Sequence, residues 1–242
     1  VWNTPSIDTK RGLLYVGTGE AYTSPASMSS DAVIAMRLSD GKLMWRKQLL
    51  AGDAWNMACF IGGGGNCPEE DGPDLDIGAA TILWQADDSE LLLVGQKSGD
   101  VYGLDLDKQG DVVWHRKLGR GGFAGGVHWG MATNGDKLFV PIADTDFLGL
   151  AKGDPFPGMH SLNPLTGATD WYTRAEDTCR DEAKPACDPG MSAAPTSTSE
   201  LVFAGGFDGM LRAYDSNDGE VLWEFNTFDT FPAVNGDVAR GG

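Results

Sequence analysis

Short apolar runs recur along the chain, each bounded by Gly, Asp, Ser, Thr or Asn. Four are conspicuous: LLYVGTG (13–19), LLLVGQK (91–97), KLFVPIA (137–143) and LVFAGGF (201–207). Their length and their β-branched and aromatic content predict buried strands rather than helices. Each is followed by a hairpin pattern that ends on tryptophan: AMRLSDGKLMW (35–45), GLDLDKQGDVVW (103–114), SLNPLTGATDW (161–171) and AYDSNDGEVLW (213–223). A shorter segment of small or mixed residues comes before each run: WNTPSID (2–8), DIGAATILW (76–84), HWGMATNG (128–135) and MSAAPTSTS (191–199). The pattern predicts four antiparallel strands, repeated four times.

Units of four short strands with one signature per repeat predict an all-β chain built as a β-propeller. The expected blades span approximately 1–50, 76–117, 128–174 and 191–226, with the start of a further blade at 231–242. Trp45, Trp114, Trp171 and Trp223 are expected to dock between neighbouring blades, and the Asp, Asn, Thr and Gly of the turns are turn chemistry. The interrupted blades, with 52 to 69 residues between successive tryptophans, suit a large ring. The chain is therefore expected to be about four blades of an eight-bladed ring and a piece of a longer polypeptide.

Strand alternation separates the loops. If the strands of a blade are A to D, the B–C loops and the D-to-A connections emerge on one face. That face collects the long insertions, among them AGDAWNMACFIGGGGNCPEEDGPDL and LGRGGFAGGV. Unusual loops gathered on one side of a rigid scaffold are the expected form of a functional face. It also collects Glu20, Asp53, Asn56, Lys97, His128, Trp129, Asp144 and Asp146, with Trp2 opening the first blade. Taken singly, Lys97 reads as a solvated lysine, His128 as a core histidine, and Asp71, Asp74 and Asp76 as a solvated loop.

Charge narrows the choice of partners. The net charge of −17 argues against nucleic acid or an anionic membrane as partner. No apolar run approaches the ~18 residues of a membrane span. The four cysteines form two pairs of equal separation, Cys59/Cys67 and Cys179/Cys187. Two local disulfides are the favoured reading over free thiols, and zinc the least favoured, since no CxxC spacing occurs. Disulfides imply an oxidising compartment.

The Trp-ended blade turns, taken together with WNTPSID, LLYVGTGE, GDAWNMAC, GQKSGDVY and GGVHWGMATN, resemble the pyrroloquinoline-quinone (PQQ) alcohol dehydrogenases, and within them the branch acting on polyvinyl alcohol. The resemblance runs along essentially the whole chain. It implies an eight-bladed propeller with PQQ and calcium near its axis, a periplasmic or secreted location, and electron transfer to a cytochrome c. The implied reaction is oxidation of an alcohol, including polymeric secondary alcohols, by hydride transfer to PQQ with calcium as Lewis acid.

Position by position, the resemblance implies that Trp2 stacks on the quinone and that Lys97 hydrogen-bonds its oxygens. Glu20 stands where relatives have a calcium-binding asparagine. His128 and Trp129 match a pair beside the cofactor. Asn56 stands where many relatives have a catalytic aspartate; its amide oxygen can ligate calcium, but it cannot act as a base. Asp53 is the expected stand-in. The blades on the far side of the pocket lie outside these residues, so residues 1–242 alone are expected not to turn over alcohol. The rival readings are a non-enzymatic propeller of the outer-membrane assembly type, which binds proteins by its rim, and a degenerate PQQ-binding sensor.

Overall fold

In a computed structural model that describes residues 1–60, 65–86, 89–146, 152–179 and 187–240, four sheets of four antiparallel strands follow one another along the chain. The first contains β1 (Ser6–Asp8), β2 (Leu13–Gly17), β3 (Ala32–Arg37) and β4 (Leu43–Gln48). The second contains β5 (Ile82–Ala86), β6 (Ser89–Gly95), β7 (Asp100–Asp105) and β8 (Asp111–Lys117). The third contains β9 (Ala132–Thr133), β10 (Leu138–Ile142), β11 (Gly158–Leu162) and β12 (Thr169–Arg174). The fourth contains β13 (Thr196–Ser197), β14 (Leu201–Gly205), β15 (Met210–Asp215) and β16 (Val221–Asn226). Spatial order follows sequence order in every sheet, and a hairpin of β17 (Thr230–Pro232) and β18 (Val238–Arg240) comes last.

Successive side chains of a strand face opposite ways, and here both faces are covered. On β6, Leu92 and Val94 join Tyr15, Val33 and Trp45 of the first sheet in one core, while Leu91 and Leu93 join Leu138, Val140 and Ile142 of the third in another. Phe139 and Met159 then pack with Val202 and Tyr214 of the fourth sheet. Burial on both faces is why these strands read as unbroken apolar runs rather than as an alternation.

The tryptophans are the joints between sheets. Trp45, Trp114 and Trp171 are buried, each facing a small residue on the preceding strand of its own sheet: Ala35, Gly103 and Ser161. A register shift follows that small residue in every sheet. Each indole then lies against a turn glycine of the next sheet, Gly110, Gly167 and Gly219 respectively, where a Cβ would collide with the ring. The indole N–H of Trp114 donates to the Pro164 carbonyl at 2.9 Å, and that of Trp171 to the Ser216 carbonyl at 3.0 Å. Trp223 occupies the same place in the fourth sheet and is 47% exposed.

The edge strands β1 and β5 touch, as do β9 and β13, so the A strands of adjacent sheets converge. The A strand of the second sheet begins at Ile82, later than the sequence pattern places it. The residues before it are drawn elsewhere: the Ile77 N–H donates to Thr18, and the Asp76 carbonyl accepts from Lys97. Both cysteine pairs are disulfides, with Cα–Cα separations of 4.9 Å for Cys59–Cys67 and 5.6 Å for Cys179–Cys187. Among the described residues no helix is long and apolar enough to cross a membrane.

Candidate active site

Segment 74–78 links the first and second sheets and carries the charged centre. Its backbone is pinned on both sides. Asn3 Nδ2 donates to the carbonyls of Gly17 and Ile77, and the Lys97 N–H donates to Asp76 at 2.9 Å. Asp53, almost fully buried, accepts the backbone N–H of Leu75 at 2.9 Å on Oδ2 and that of Asp74 at 3.3 Å on Oδ1. This fixes the side chains of Asp74 and Asp76, which are buried rather than part of a solvated loop. Of the three aspartates in DGPDLD, only Asp71 is exposed.

Lys97 lies between the two. Its Nζ is 2.9 Å from Asp74 Oδ1 and 2.6 Å from Asp76 Oδ2, and it sits 5.4 Å from the centroid of the Trp2 ring. The Trp2 indole N–H donates to Asp76 Oδ2 at 3.2 Å, and the backbone N–H of Glu20 donates to Asp76 Oδ1 at 3.1 Å. Gly19 is required for this approach, because a Cβ there would overlap the Asp76 carboxylate. Carboxylate oxygens of Glu20, Asp74 and Asp76 all come within 4.8 Å of one another.

Two carboxylates therefore share one ammonium, with the Glu20 carboxyl group beside them. Burial, then the neighbouring Asp76, pushes Glu20 up to about 8. Asp76 moves the other way: burial opposes its ionisation, but hydrogen bonding with Glu20 and the charge of Lys97 outweigh it. Lys97 is held above its ordinary value because the two aspartates outweigh its own burial. The set has oxygen donors and surplus negative charge, which fits a hard divalent cation such as calcium.

Beside it stand aromatic faces. Trp2 and Trp129 meet edge to face at 4.7 Å and both are exposed, at 39% and 53%. His128 Nδ1 is 2.8 Å from Ser192 Oγ, its ring 4.9 Å from that of Trp129. Burial and the nearby Lys97 lower it to about 4, so the imidazole is neutral. A cation beside the exposed Trp2 indole fits a planar anionic quinone.

The structure thus brings Trp2, Glu20, Lys97, His128 and Trp129 together and adds Asp74 and Asp76. It gives Asn56, Asp53 and Asp144 other work. The Asn56 amide caps the short 3₁₀ turn Met57–Cys59: Oδ1 accepts from Ala58, and Nδ2 donates to the carbonyls of Tyr22 and Asn66. It shares a recess with Glu20, but its polar atoms are engaged by backbone. Both oxygens of Asp53 are taken by the Asp74 and Leu75 amides, which leaves it positioning the loop. Asp144 accepts N–H groups from Arg120, Gly121, Gly126 and Phe156, and so anchors the glycine-rich loop. Asp146 lines the recess beyond.

Comparison with known proteins agrees with this architecture. The PQQ_2 family model, described as outer membrane protein assembly factor BamB, matches residues 97–236, more than half of the chain. The chain is 38% identical over its full length to a polyvinylalcohol dehydrogenase of Pseudomonas sp, and 37% identical over its full length to one of Sphingopyxis sp. (strain 113P3). It spans 37% and 38% of the length of those two proteins. Its fold is similar to that of the quinohemoprotein alcohol dehydrogenase from Comamonas testosteroni, with a TM-score of 0.66 at 18% identity, over 94% of this chain and 41% of that one.

Proposed function

The chain belongs to the PQQ_2 family, and from that premise we propose that the protein carrying it oxidises an alcohol, with PQQ as electron acceptor, at the centre formed by Glu20, Asp74, Asp76 and Lys97. The observation that carries this reading is the buried Lys97 held between two aspartates directly beneath an exposed indole. Buried charges are costly to retain for stability alone. A protein-binding propeller, the reading that the family description raises, has no use for them.

Glu20 and Asp76 would hold calcium, and Trp2, Trp129 and Lys97 would hold PQQ. When bound, PQQ supplies a hydride acceptor and calcium polarises its carbonyl. Lys97 keeps a fixed positive charge where negative charge develops, in a site largely shielded from water. Asp74 both pairs with Lys97 and borders the adjoining recess, so it can accept the hydroxyl proton of an alcohol entering from there. This replaces Asp53, whose two oxygens hold backbone amides, in the role of base. The Trp2 and Trp129 rings exclude water from one side.

The substrate class follows the curated relatives, secondary alcohols including polymeric ones. A cytochrome c would receive the electrons. The two disulfides suit a periplasmic or secreted location. The ring would be completed to eight blades by polypeptide outside these residues. The test is titration of the natural polypeptide with PQQ and calcium, following quinone absorbance and dye-coupled oxidation of 2-propanol. Saturable binding and turnover, both weakened by Glu20→Gln, are expected. A protein that binds no PQQ in the presence of calcium would overturn the reading.

A further inference from the structure

Next to the charged centre lies a recess of about 420 Å³. Its wall is a continuous aromatic run. Trp55 meets Phe60 edge to face at 5.0 Å and 89°, and Phe60 meets Phe123 at 5.5 Å and 83°. Pro73 and Asp74 connect it to the charged centre, and Arg120, Asp146 and Lys152 give it a polar side. The volume falls in the range of roughly 300–1,000 Å³ typical of organic-ligand sites, far more than a two- or three-carbon alcohol fills.

We propose that this recess binds the body of the substrate, an extended aliphatic chain bearing several hydroxyls, and so sets specificity for long polyols. The inference rests on the alcohol-oxidising reading above and adds the residues that select the alcohol. Methylene groups lie against the aromatic wall, where apolar burial is favourable. Hydroxyls of the same chain reach the polar side. One hydroxyl reaches Asp74, the single residue that belongs to both the recess and the Lys97 pair.

The walls are built to hold their shape. Phe60 follows the turn capped by Asn56 and fastened by Cys59–Cys67, and Phe123 sits on the loop that Asp144 anchors. A preformed wall spares the ordering cost of binding a flexible chain. It also gives Asn56 and Asp144 a purpose that chemistry at the cluster does not.

The experiment compares Phe123→Ala and Lys152→Trp with the unmodified natural polypeptide. Binding of a short oligo(vinyl alcohol) is read by calorimetry in the cofactor-free protein, and KM and kcat are read for that oligomer and for 2-propanol in the holoenzyme. Phe123→Ala should weaken oligomer binding and raise its KM by roughly tenfold, the scale of one lost aromatic anchor. Kinetics with 2-propanol, which covers little of the aromatic wall, should change far less than those with the oligomer. Lys152→Trp narrows the mouth from an exposed position, so it reports even if the Phe123 variant does not fold. Unchanged oligomer affinity in both variants, or equal losses for the oligomer and 2-propanol, would overturn the proposal. Oligomer binding that responds to these variants in a protein that oxidises no alcohol would keep the pocket and reject the reaction.

Discussion

The carboxylate of Asp53 accepts the backbone N–H of Leu75 at 2.9 Å, and through that bond a residue outside the charged centre sets its geometry. Asp74 and Asp76 flank Leu75, so their side chains face Lys97 only while this loop keeps its course. Asp53→Ala leaves two backbone donors without an acceptor, a loss of about 1–3 kcal/mol each when buried. Asp53→Asn retains one acceptor and should lie between. Denaturant unfolding of the three proteins checks this order, and an alanine variant as stable as the parent would refute it.

Lys97 is the counter-charge to two buried carboxylates, and Lys97→Met removes it without opening a cavity. Breaking a buried pair costs about 3–5 kcal/mol because the surviving charges are uncompensated. The sign of the pH dependence follows. Burial already holds Asp74 above its unfolded value, at about 6, against the pull of Lys97; without Lys97 it rises further and Asp76 loses the charge that helps keep it low. The variant is therefore least impaired at low pH and loses stability as pH rises. Added calcium should restore part of the loss. Urea titrations at pH 5 and pH 8, with and without calcium, test both points; a pH-independent deficit would count against the ion cluster.

The tryptophan joints predict unequal effects from equivalent substitutions. Trp171→Ala empties a buried contact against Gly219 and should cost about 3–5 kcal/mol. Trp223→Ala, at a half-exposed indole, should cost under about 1 kcal/mol. Gly219→Ala should cost more than about 1 kcal/mol, since its φ is +78° and the new methyl meets the Trp171 ring. Thermal denaturation separates these cases, and comparable losses at Trp171 and Trp223 would contradict the packing described.

Those joints were legible in the sequence because the repeat printed them four times. A small residue, a turn with glycine and a tryptophan recur at the same offsets, save for one extra turn residue in the second copy, so local pattern and tertiary contact coincide. The even Cys spacing was legible for the same reason. Asp74 and Asp76 were not. In DGPDLD they look like any polar loop, and what buries them is contact with residues far away in the chain: Glu20, Asp53 and Lys97. The usable signal was indirect. GTG before Glu20 implies a close approach at Gly19, and Asp-Leu-Asp runs straight into the small-residue entry of a strand. Asn56 reads two ways: it occupies a position suggestive of chemistry, and asparagine is also a preferred residue for capping a helical turn, the contact its side chain makes here.

Asp31 supplies a pH test independent of any ligand. It is fully buried, and neither carboxylate oxygen has a hydrogen-bond partner among the described residues. Burial, then the charges of Asp53, Asp76 and Asp74, pushes it up to about 8. Unfolded, the group ionises near 3.8. Between these values the folded state binds more protons than the unfolded one, so stability from this group is complete below pH 4 and is lost as pH rises through 8. Asparagine mimics the protonated form and tolerates the residue's φ of +45°. Asp31→Asn should therefore gain on the parent progressively from pH 4 to pH 8, reaching on the order of a few kcal/mol. Buried His160, lowered to about 4, adds an opposing slope at acid pH, but it is common to both proteins and cancels in the difference. Unfolding free energies measured across this range with chelator present give that difference directly, and parallel curves for the two proteins would show that Asp31 is already ionised in the folded state.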